Sequence, residues 1–155
     1  MKKKSLKIHL ATDHAGFAMK ESVKSWLESE GFAVTDHGAD RFDSQDDFND
    51  YISLAAKEVA KKPKTSRGVI FGCSGQGEAV MANRFKKIRA AVYYGGPEEI
   101  VSLSRKHNDS NILSIGARFV TDAQAKKVIW DWLHGPASVA KKYQRRNRKL
   151  DSLSK

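Results

Sequence analysis

The sequence has a single cysteine, Cys73, among its 155 residues. One cysteine forms no intrachain disulfide and no zinc-ligand spacing, which excludes a disulfide framework and fits a reducing compartment. Long apolar runs are also missing, since no segment approaches the ~20 residues that cross a bilayer. The basic start at residues 2–7 is followed by an apolar stretch, residues 8–12, that is too short for a signal sequence. These absences predict a soluble, cytoplasmic protein with no membrane partner.

Acidic residues are fewer than basic ones: 18 Asp and Glu stand against 28 Lys and Arg, giving a formal net charge of +10. The cations gather at residues 2–7 and 141–149, whereas residues 36–50 are acidic. A basic tail can bind nucleic acid or a phosphorylated small molecule, or it can simply form a solvated helix face. Zinc-finger and RNA-recognition signatures are absent, so the motifs do not support a nucleic-acid partner.

Apolar periodicity predicts five strands that alternate with helices. The strands are predicted at residues 7–13, 33–36, 68–72, 89–94 and 112–116. The helices are predicted at residues 17–30, 51–61, 78–85, 97–107 and 122–133, with a last polar helix after Gly135-Pro136. This alternation predicts one α/β domain over residues 1–155, with a five-stranded parallel sheet covered by helices on both faces. In the flavodoxin-like order 2-1-3-4-5, strands one and three are neighbours, and ligands bind beyond their carboxyl ends.

The loop after the third strand is the most informative segment. Residues 72–78 read Gly-Cys-Ser-Gly-Gln-Gly-Glu, and their small side chains leave backbone N–H groups free to approach an anion. The loop lacks the Lys-Ser/Thr pair of a Walker A motif and does not match GxGxxG. It suits anion binding combined with proton transfer by Glu78, although a tight strand–helix turn would look the same.

The predicted topology places a second polar loop beside this one. Asp13 and His14 follow the first strand, so they are expected to line one crevice with Ser74 and Glu78. A histidine, two carboxylates and a nest of amides suit general acid–base chemistry on a phosphorylated metabolite. Alternatively, Asp13 and His14 only cap the first helix.

Five motifs occur in order between Lys7 and Leu150. They are Asp13-His14-Ala15-Gly16-Phe17, Gly75-Gln76-Gly77, Ala82-Asn83-Arg84, Arg105-Lys106-His107-Asn108-Asp109 and Gly116-Ala117-Arg118. Together they resemble the type B ribose-5-phosphate isomerase family, which includes the galactose-6-phosphate isomerase subunits. The resemblance implies a three-layer Rossmann-like fold and a homodimer or tetramer, with a last helix that crosses to the partner subunit. It also implies interconversion of an aldose phosphate and its ketose without metal or cofactor.

The resemblance also implies which residue is the catalytic base. One form of the family's central loop carries a cysteine base immediately after the strand, in the pattern Cys-Gly-Thr-Gly-x-Gly. The other reads Gly-Gly-Ser-Gly-x-Gly-Glu and uses the glutamate. Alignment on Gly75 and Gly77 places Gly72 at the position of the cysteine base and Cys73 one residue later. The chain is therefore similar to the glutamate form, with Glu78 carrying a proton between C2 and C1 of an enediolate; burial would make this carboxylate more basic.

Further roles follow from the same resemblance. His107 and Asp13 assist ring opening, and Ser74 and the loop amides stabilise the enediolate. Asn108 contacts substrate oxygens, although it could also be the C-cap of its helix. The substrate-binding residues implied in this way are His14, Gly75, Gln76, Gly77, Asn108, Arg118, Lys142 and Arg146.

The predicted phosphate-binding group departs from the family pattern at one position. Relatives use the equivalents of His14 and Arg118, together with two arginines four residues apart on the last helix of the partner subunit. Lys142 replaces the first of these arginines and offers a point charge instead of a bidentate fork, whereas Arg146 matches the second. The neighbouring Arg145 lies about 100° around the helix and is a poor substitute. Asn49 also stands where relatives commonly have proline.

These departures leave the substrate open. Ribose 5-phosphate is the first expectation, followed by six-carbon sugars such as allose or galactose 6-phosphate. A non-catalytic sugar-phosphate-binding protein and a nucleic-acid-binding protein are further alternatives. The intact Glu78 favours an enzyme.

Overall fold

The computed structural model describes residues 5–153; the first basic residues, 2–4, and residues 154–155 lie outside the described part. The strands are β1 (Lys7–Thr12), β2 (Ala33–Asp36), β3 (Ser66–Gly72), β4 (Ala90–Tyr93) and β5 (Ile112–Gly116). The helices are α1 (Phe17–Ser29), α2 (Phe48–Lys61), α3 (Gln76–Ala82), α4 (Glu99–Asn108), α5 (Asp122–His134) and α6 (Lys141–Leu153). The predicted alternation is confirmed, although α2 and α3 begin three and two residues earlier than expected.

The five strands form one parallel sheet in the order β2-β1-β3-β5-β4. The predicted pairing of the first and third strands is confirmed, with Thr12 opposite Phe71. The predicted order of the last two strands is wrong, because β5 pairs with β3 and β4 lies at the edge. Burial gives the reason: every residue of β5 is buried, whereas β4 is short and three of its four residues are partly exposed. The fully buried strand occupies the interior of the sheet.

Helices cover both faces of the sheet, as predicted. Val69 and Phe71 of β3 point into a core that contains residues of α1, α4 and α5. Ile70, between them, points into a second core with α2 and α3. This alternation along one strand is the period-two pattern of a sheet buried on both sides.

The last helix, α6, has no buried residue and lies against α4 of its own chain. Asn147 Nδ2 donates to the carbonyl of His107 at 3.2 Å, and Arg89 Nη1 donates to Asp151 at 2.8 Å. A crossing of α6 to a partner subunit stays a prediction. Within residues 5–153, no helix has the length and apolar character needed to cross a membrane.

A pair of histidines joins the first two strands. His9 Nδ1 and His37 Nε2 are 2.9 Å apart, and His9 is 3% exposed. Burial, with a smaller contribution from the nearby His37, lowers the pKa of His9 to about 4; burial also lowers the pKa of His37. Both rings are therefore neutral in the folded protein at neutral pH.

This pair predicts a loss of stability in mild acid. The unfolded His9 gains a proton as the pH falls below about 6.5, while the folded residue does so only near pH 4. Lowering the pH from 7.5 to 5 should therefore reduce the free energy of unfolding by about 1–2 kcal/mol through this residue. Urea titrations at the two pH values measure this loss. The loss in the free energy of unfolding should be smaller in His9→Gln and should persist in His134→Gln, which changes an exposed histidine. An undiminished loss in His9→Gln would contradict the prediction.

Candidate active site

The loop after β1 packs tightly onto β3. A Cβ atom at Gly16 would lie 2.5 Å from Cβ of Phe71, so only glycine permits this approach. Asp13 caps the 3-10 turn at His14–Gly16, its Oδ1 accepting a hydrogen bond from Ala15 N at 3.0 Å. Asp13 therefore caps this turn and not α1, whose N-cap is Gly16, and it is 92% buried. Capping does not exclude a catalytic role, because the second carboxylate oxygen is not used by the cap.

The loop after β3 turns through a left-handed glycine. Gly75 has a φ of +76°, and a Cβ there would lie 3.1 Å from the backbone N of Gly116. Ser114 Oγ donates to the Gly75 carbonyl at 2.7 Å, and Ser74 Oγ accepts from Gln76 N at 3.4 Å. Because of this tight turn, α3 begins immediately after Gly75. The first turn of α3 then lies beside the end of β3. Gln76 is exposed, and Gly77 packs under the ring of Phe48.

The carboxyl group of Glu78 lies beside the backbone of Gly72. A Cβ atom at Gly72 would be 2.0 Å from Cδ of Glu78, so the carboxyl occupies the space that a side chain at position 72 would need. Glu78 is 5% exposed. Burial raises the pKa of the Glu78 carboxyl above its usual value, and the negative charge of Asp13 raises it further. A buried carboxyl with a raised pKa in a crevice is typical of a proton-transferring group.

His14 is held by a carboxylate that the sequence analysis did not identify. Asp46 Oδ1 accepts from both the backbone N of His14, at 3.1 Å, and its ring Nδ1, at 2.7 Å. This hydrogen bond raises the pKa of His14, and the charges of Asp13 and Asp43 act in the same direction. Asp46 lies within the acidic stretch 36–50, whose residue pattern does not distinguish it from its neighbours.

Asp13, His14 and Asp46 also form a group with metal-ligand atoms, each within 4.8 Å of the others. Oxygen and imidazole ligands of this kind can hold a divalent cation. The 2.7 Å between His14 Nδ1 and Asp46 Oδ1 suits a shared proton, since ligands bound at ~2.1 Å to one ion lie about 3 Å apart or more. Metal independence stays a prediction.

A third loop completes this edge of the sheet. Gly116 ends β5 opposite Gly72, and Arg118 N donates to the carbonyl of the half-buried Cys73 at 3.1 Å. The side chain of Arg118 is exposed. The structure thus brings together eight predicted site residues, here called the loop cluster: Asp13, His14, Ser74, Gly75, Gln76, Gly77, Glu78 and Arg118.

The other four predicted residues lie at the opposite edge of the sheet. The carbonyl of Asn108, at the end of α4, accepts a hydrogen bond from Arg89 Nε at 2.8 Å, and Arg89 directly precedes β4. Strands rise about 3.3 Å per residue, so the length of β5 separates the two edges by about 13 Å. His107, Asn108, Lys142 and Arg146 form what is called here the α4–α6 cluster. One chain does not bring the two clusters together.

An aromatic ring organises the α4–α6 cluster. The rings of His107 and Tyr143 stack with centroids 4.3 Å apart and an interplanar angle of 16°. Lys142 Nζ lies 4.9 Å from the Tyr143 ring centroid, and Arg146 Cζ lies 6.0 Å from it. Tyr143 was missed in the sequence, although it stands directly beside Lys142. The two cations are exposed and available to an anion from outside the chain.

Two smaller expectations are corrected or resolved by the structure. Asp109 is the C-cap of α4, with a φ of +45°, so the alternative that Asn108 caps this helix is wrong. Asn49 lies in the first turn of α2, where a proline is also tolerated, and its side chain contacts Met81 at 3.7 Å. This departure from the family pattern lies outside both clusters.

Comparisons with known proteins agree with the geometry. Residues 8–150 match the family model described as Ribose/Galactose Isomerase. The ribose-5-phosphate isomerase B of Mycolicibacterium paratuberculosis is 33% identical over 141 residues, which cover 91% of this chain and 87% of the relative. The enzyme of the same name from Escherichia coli is 34% identical over 127 residues, covering 82% and 83% of the two chains.

The fold agrees with solved structures as well. The crystal structure of ribose-5-phosphate isomerase B from Mycoplasma genitalium with bound ribulose-5-phosphate superposes with a TM-score of 0.91. The two proteins are 31% identical, and the match covers 97% of each chain. The family model spans nearly the whole chain, and the fold superposes closely on that of a solved ribose-5-phosphate isomerase B. The chain therefore belongs to the ribose/galactose isomerase family.

Proposed function

We propose that residues 1–155 form one sugar-phosphate isomerase domain that interconverts ribose 5-phosphate and ribulose 5-phosphate. The buried Glu78 carboxyl beside Gly72 is the observation that carries this proposal. The relative from Mycoplasma genitalium, with its bound ribulose-5-phosphate, supports the choice of substrate. The reaction moves one proton from C2 to C1 through an enediolate and one from O2 to O1, and it needs neither metal nor cofactor.

Glu78 is the base that takes the C2 proton and returns it to C1. Its raised pKa makes the carboxylate a stronger base than an exposed glutamate. A cysteine base at position 72, as in the other form of the family's loop, would need the volume that the Glu78 carboxyl fills. The two bases are therefore alternatives for one place, and Cys73, one residue later, is not equivalent to either.

The backbone amides of the loop after β3 act as the electrophilic catalyst, because they stabilise the negative charge of the enediolate. Ser74, Gly75 and Gly77 carry small side chains that leave room for a ligand beside the backbone N–H groups, and such groups stabilise the oxyanion of an enediolate. Ser74 adds a hydroxyl at the same place. Asp13 and His107 assist ring opening by moving the proton of the anomeric hydroxyl to the ring oxygen.

Phosphate is bound by cations drawn from both clusters. His14 contributes an imidazole whose pKa is raised by its hydrogen bond to Asp46, and Arg118 lies on the neighbouring loop. Lys142 and Arg146 supply the remaining positive charge. Because Lys142 is a point charge, it accepts more phosphate orientations than an arginine fork would, which leaves a six-carbon 6-phosphate as the second candidate substrate.

A homodimer completes each site. The α4–α6 cluster lies about 13 Å from the loop cluster of its own chain, by the rise of β5. On α6, Lys142, Arg146 and Leu153 share one face, and Leu153 is 79% exposed. Asn147 and Asp151 face the chain's own α4 and Arg89. A second copy is therefore proposed to bring its outward α6 face and its His107 to the loop cluster.

The choice of base predicts contrasting effects of two substitutions. Glu78→Gln keeps the shape of the side chain but removes the proton acceptor, so kcat should fall by at least ~10²-fold. Cys73→Ser should keep most of the activity. Both variants are assayed with excess chelator present, together with exchange of the C2 proton into solvent. Loss of exchange in Cys73→Ser with retention in Glu78→Gln would overturn the assignment of the base.

The shared site predicts complementation between inactive variants. A mixture of Glu78→Gln and His107→Asn chains should recover roughly a quarter of wild-type activity after subunit exchange, because each hybrid dimer contains one intact site. Mixing His107→Asn with Arg146→Ala provides the matched control. Both lesions lie in the α4–α6 cluster, so neither site of that hybrid is intact. No recovery in the first mixture, despite demonstrated exchange, would show that each chain builds its own site.

The contact between Asp46 and His14 predicts a shift in pH dependence. Asp46→Asn keeps an oxygen for the two hydrogen bonds but removes the charge, so the pKa of His14 should fall, as measured by NMR titration. KM for the sugar phosphate should then begin to rise at a lower pH, while kcat changes less. Asp43→Asn, which removes a carboxylate that makes no hydrogen bond to His14, should lower this pKa less. Equal shifts in the two variants would contradict the assigned role of Asp46.

A further inference from the structure

An open cleft of about 700 Å³ lies at the amino edge of the sheet. It is bordered by the turn before β3, the start of β4, the end of α4 and the inner face of α6. Its lining contains seven lysines and arginines and two aspartates. The cations not yet described are Lys64, Arg67, Lys86, Lys87, Lys106 and Arg148. The mechanism proposed above uses none of them.

Arg67 is the most informative residue of this cleft. Its Nη1 donates to the carbonyls of Pro63 and Ser66 at 3.0 and 2.8 Å, and no carboxylate within the described residues forms an ion pair with it. Burial, followed by the nearby charge of Arg105, lowers the pKa of Arg67 to about 10, and the charge of Asp109 acts in the opposite direction. The guanidinium nevertheless stays charged at neutral pH. A mostly buried cation without an ion-pair partner is costly, and a bound anion reduces that cost.

The two aspartates of the cleft form no ion pair with Arg67, although the charge of Asp109 raises its pKa. Arg89 holds both of them, with Nη2 at 3.2 Å from Asp109 and Nη1 at 2.8 Å from Asp151. Arg105 also pairs with Asp109 at 2.7 Å. The acids are therefore already neutralised, and the positive charge of Arg67 and of the surrounding lysines remains.

Asn147, which lines the same cleft, carries a buried acceptor. Its Oδ1 has no hydrogen-bond partner within the described residues, while its Nδ2 donates to the His107 carbonyl. An unsatisfied buried acceptor is costly, but this oxygen is itself closed to solvent, so it adds no exposed hydrogen-bonding group to the cleft.

The cleft is distinct from the α4–α6 cluster. Successive residues of an α-helix are rotated by about 100° around its axis. The cleft residues of α6 therefore lie on the opposite side of the helix from Lys142 and Arg146, about 180° away on average. These cleft residues are Asn147, Arg148 and Asp151. The two cations of the cluster face outward, and the cleft residues face the sheet. A phosphate bound at one place does not contact the other.

We propose that this cleft binds a compact, multiply phosphorylated small molecule. Its volume lies in the range of small-molecule sites, about 300–1,000 Å³. No aromatic side chain lines it, which disfavours single-stranded nucleic acid, because such strands bind by stacking on aromatic rings.

Calorimetric titration of the full chain with inorganic pyrophosphate, at fixed ionic strength, tests the proposal. Arg67→Gln should weaken binding roughly tenfold or more, as expected for the loss of a charge-assisted phosphate contact. The double variant Lys64→Gln/Lys106→Gln, on the exposed rim, should weaken it severalfold even if Arg67→Gln fails to fold. Lys126→Gln, a charge-matched change on α5, and Arg146→Ala should leave this affinity unchanged.

Three results would overturn the proposal. The first is the absence of pyrophosphate binding, and the second is binding that Arg146→Ala abolishes while the cleft variants do not. The third is binding of a single-stranded RNA oligonucleotide that depends on Arg67 when pyrophosphate does not bind, which would make the cleft a nucleic-acid surface. In the cleft variants that fold and in Lys126→Gln, isomerase activity without pyrophosphate provides the check that the catalytic site is intact.

Discussion

The loop cluster depends on a space at the end of β3, which exists because Gly72 has no side chain. The Glu78 carboxyl fills that space, and it reaches it only because α3 starts immediately after the left-handed Gly75. Gly75 in turn packs against the backbone of Gly116, so the loop after β5 cannot move independently. The contact of Gly75 with Gly116 thus couples the loops after β3 and β5, and a second contact, that of the Glu78 carboxyl with Gly72, fixes the side chain beside the strand. This second contact also removes the carboxyl from water, and the pKa of Glu78 rises in consequence.

Chemistry is confined to the edges of the sheet because its interior is apolar on both sides. Residues such as Val69, Ile70 and Phe71 are fully buried, so polar groups can converge only where the strands end. The carboxyl edge carries the carboxylates and the loop amides. The amino edge carries a stacked histidine and tyrosine with two exposed cations on one side of α6, and a basic cleft on the other. The division of charge between the edges explains why acid–base groups and much of the phosphate-binding potential are found so far apart in one chain.

Much of this arrangement follows from the sequence. Buried parallel strands are continuous apolar runs, so all five could be located, and the pairing of β1 with β3 correctly placed Asp13 and His14 beside the glycine loop. The order of β4 and β5 could not be predicted in the same way, because both are short and apolar and differ mainly in burial. The contact of Asp46 with His14 could not be predicted from the sequence, because the path of the loop before α2 is set by tertiary contacts and not by a local pattern. The position of His107 was accessible in principle, since a helix that follows a strand runs back and ends at the amino edge.

The separation of the two clusters has a consequence for how such proteins diversify. In the proposed dimer, each of two equivalent sites uses the loop cluster of one chain and the α4–α6 cluster of the other. After gene duplication, one copy could lose Glu78 and the other His107, and a mixed pair would still contain one complete site. Neither copy would then be active alone, and selection would hold the two together. Each chain carries half of one site at one edge of its sheet and half of the other site at the opposite edge. Such a chain can therefore become one member of an obligate heteromer.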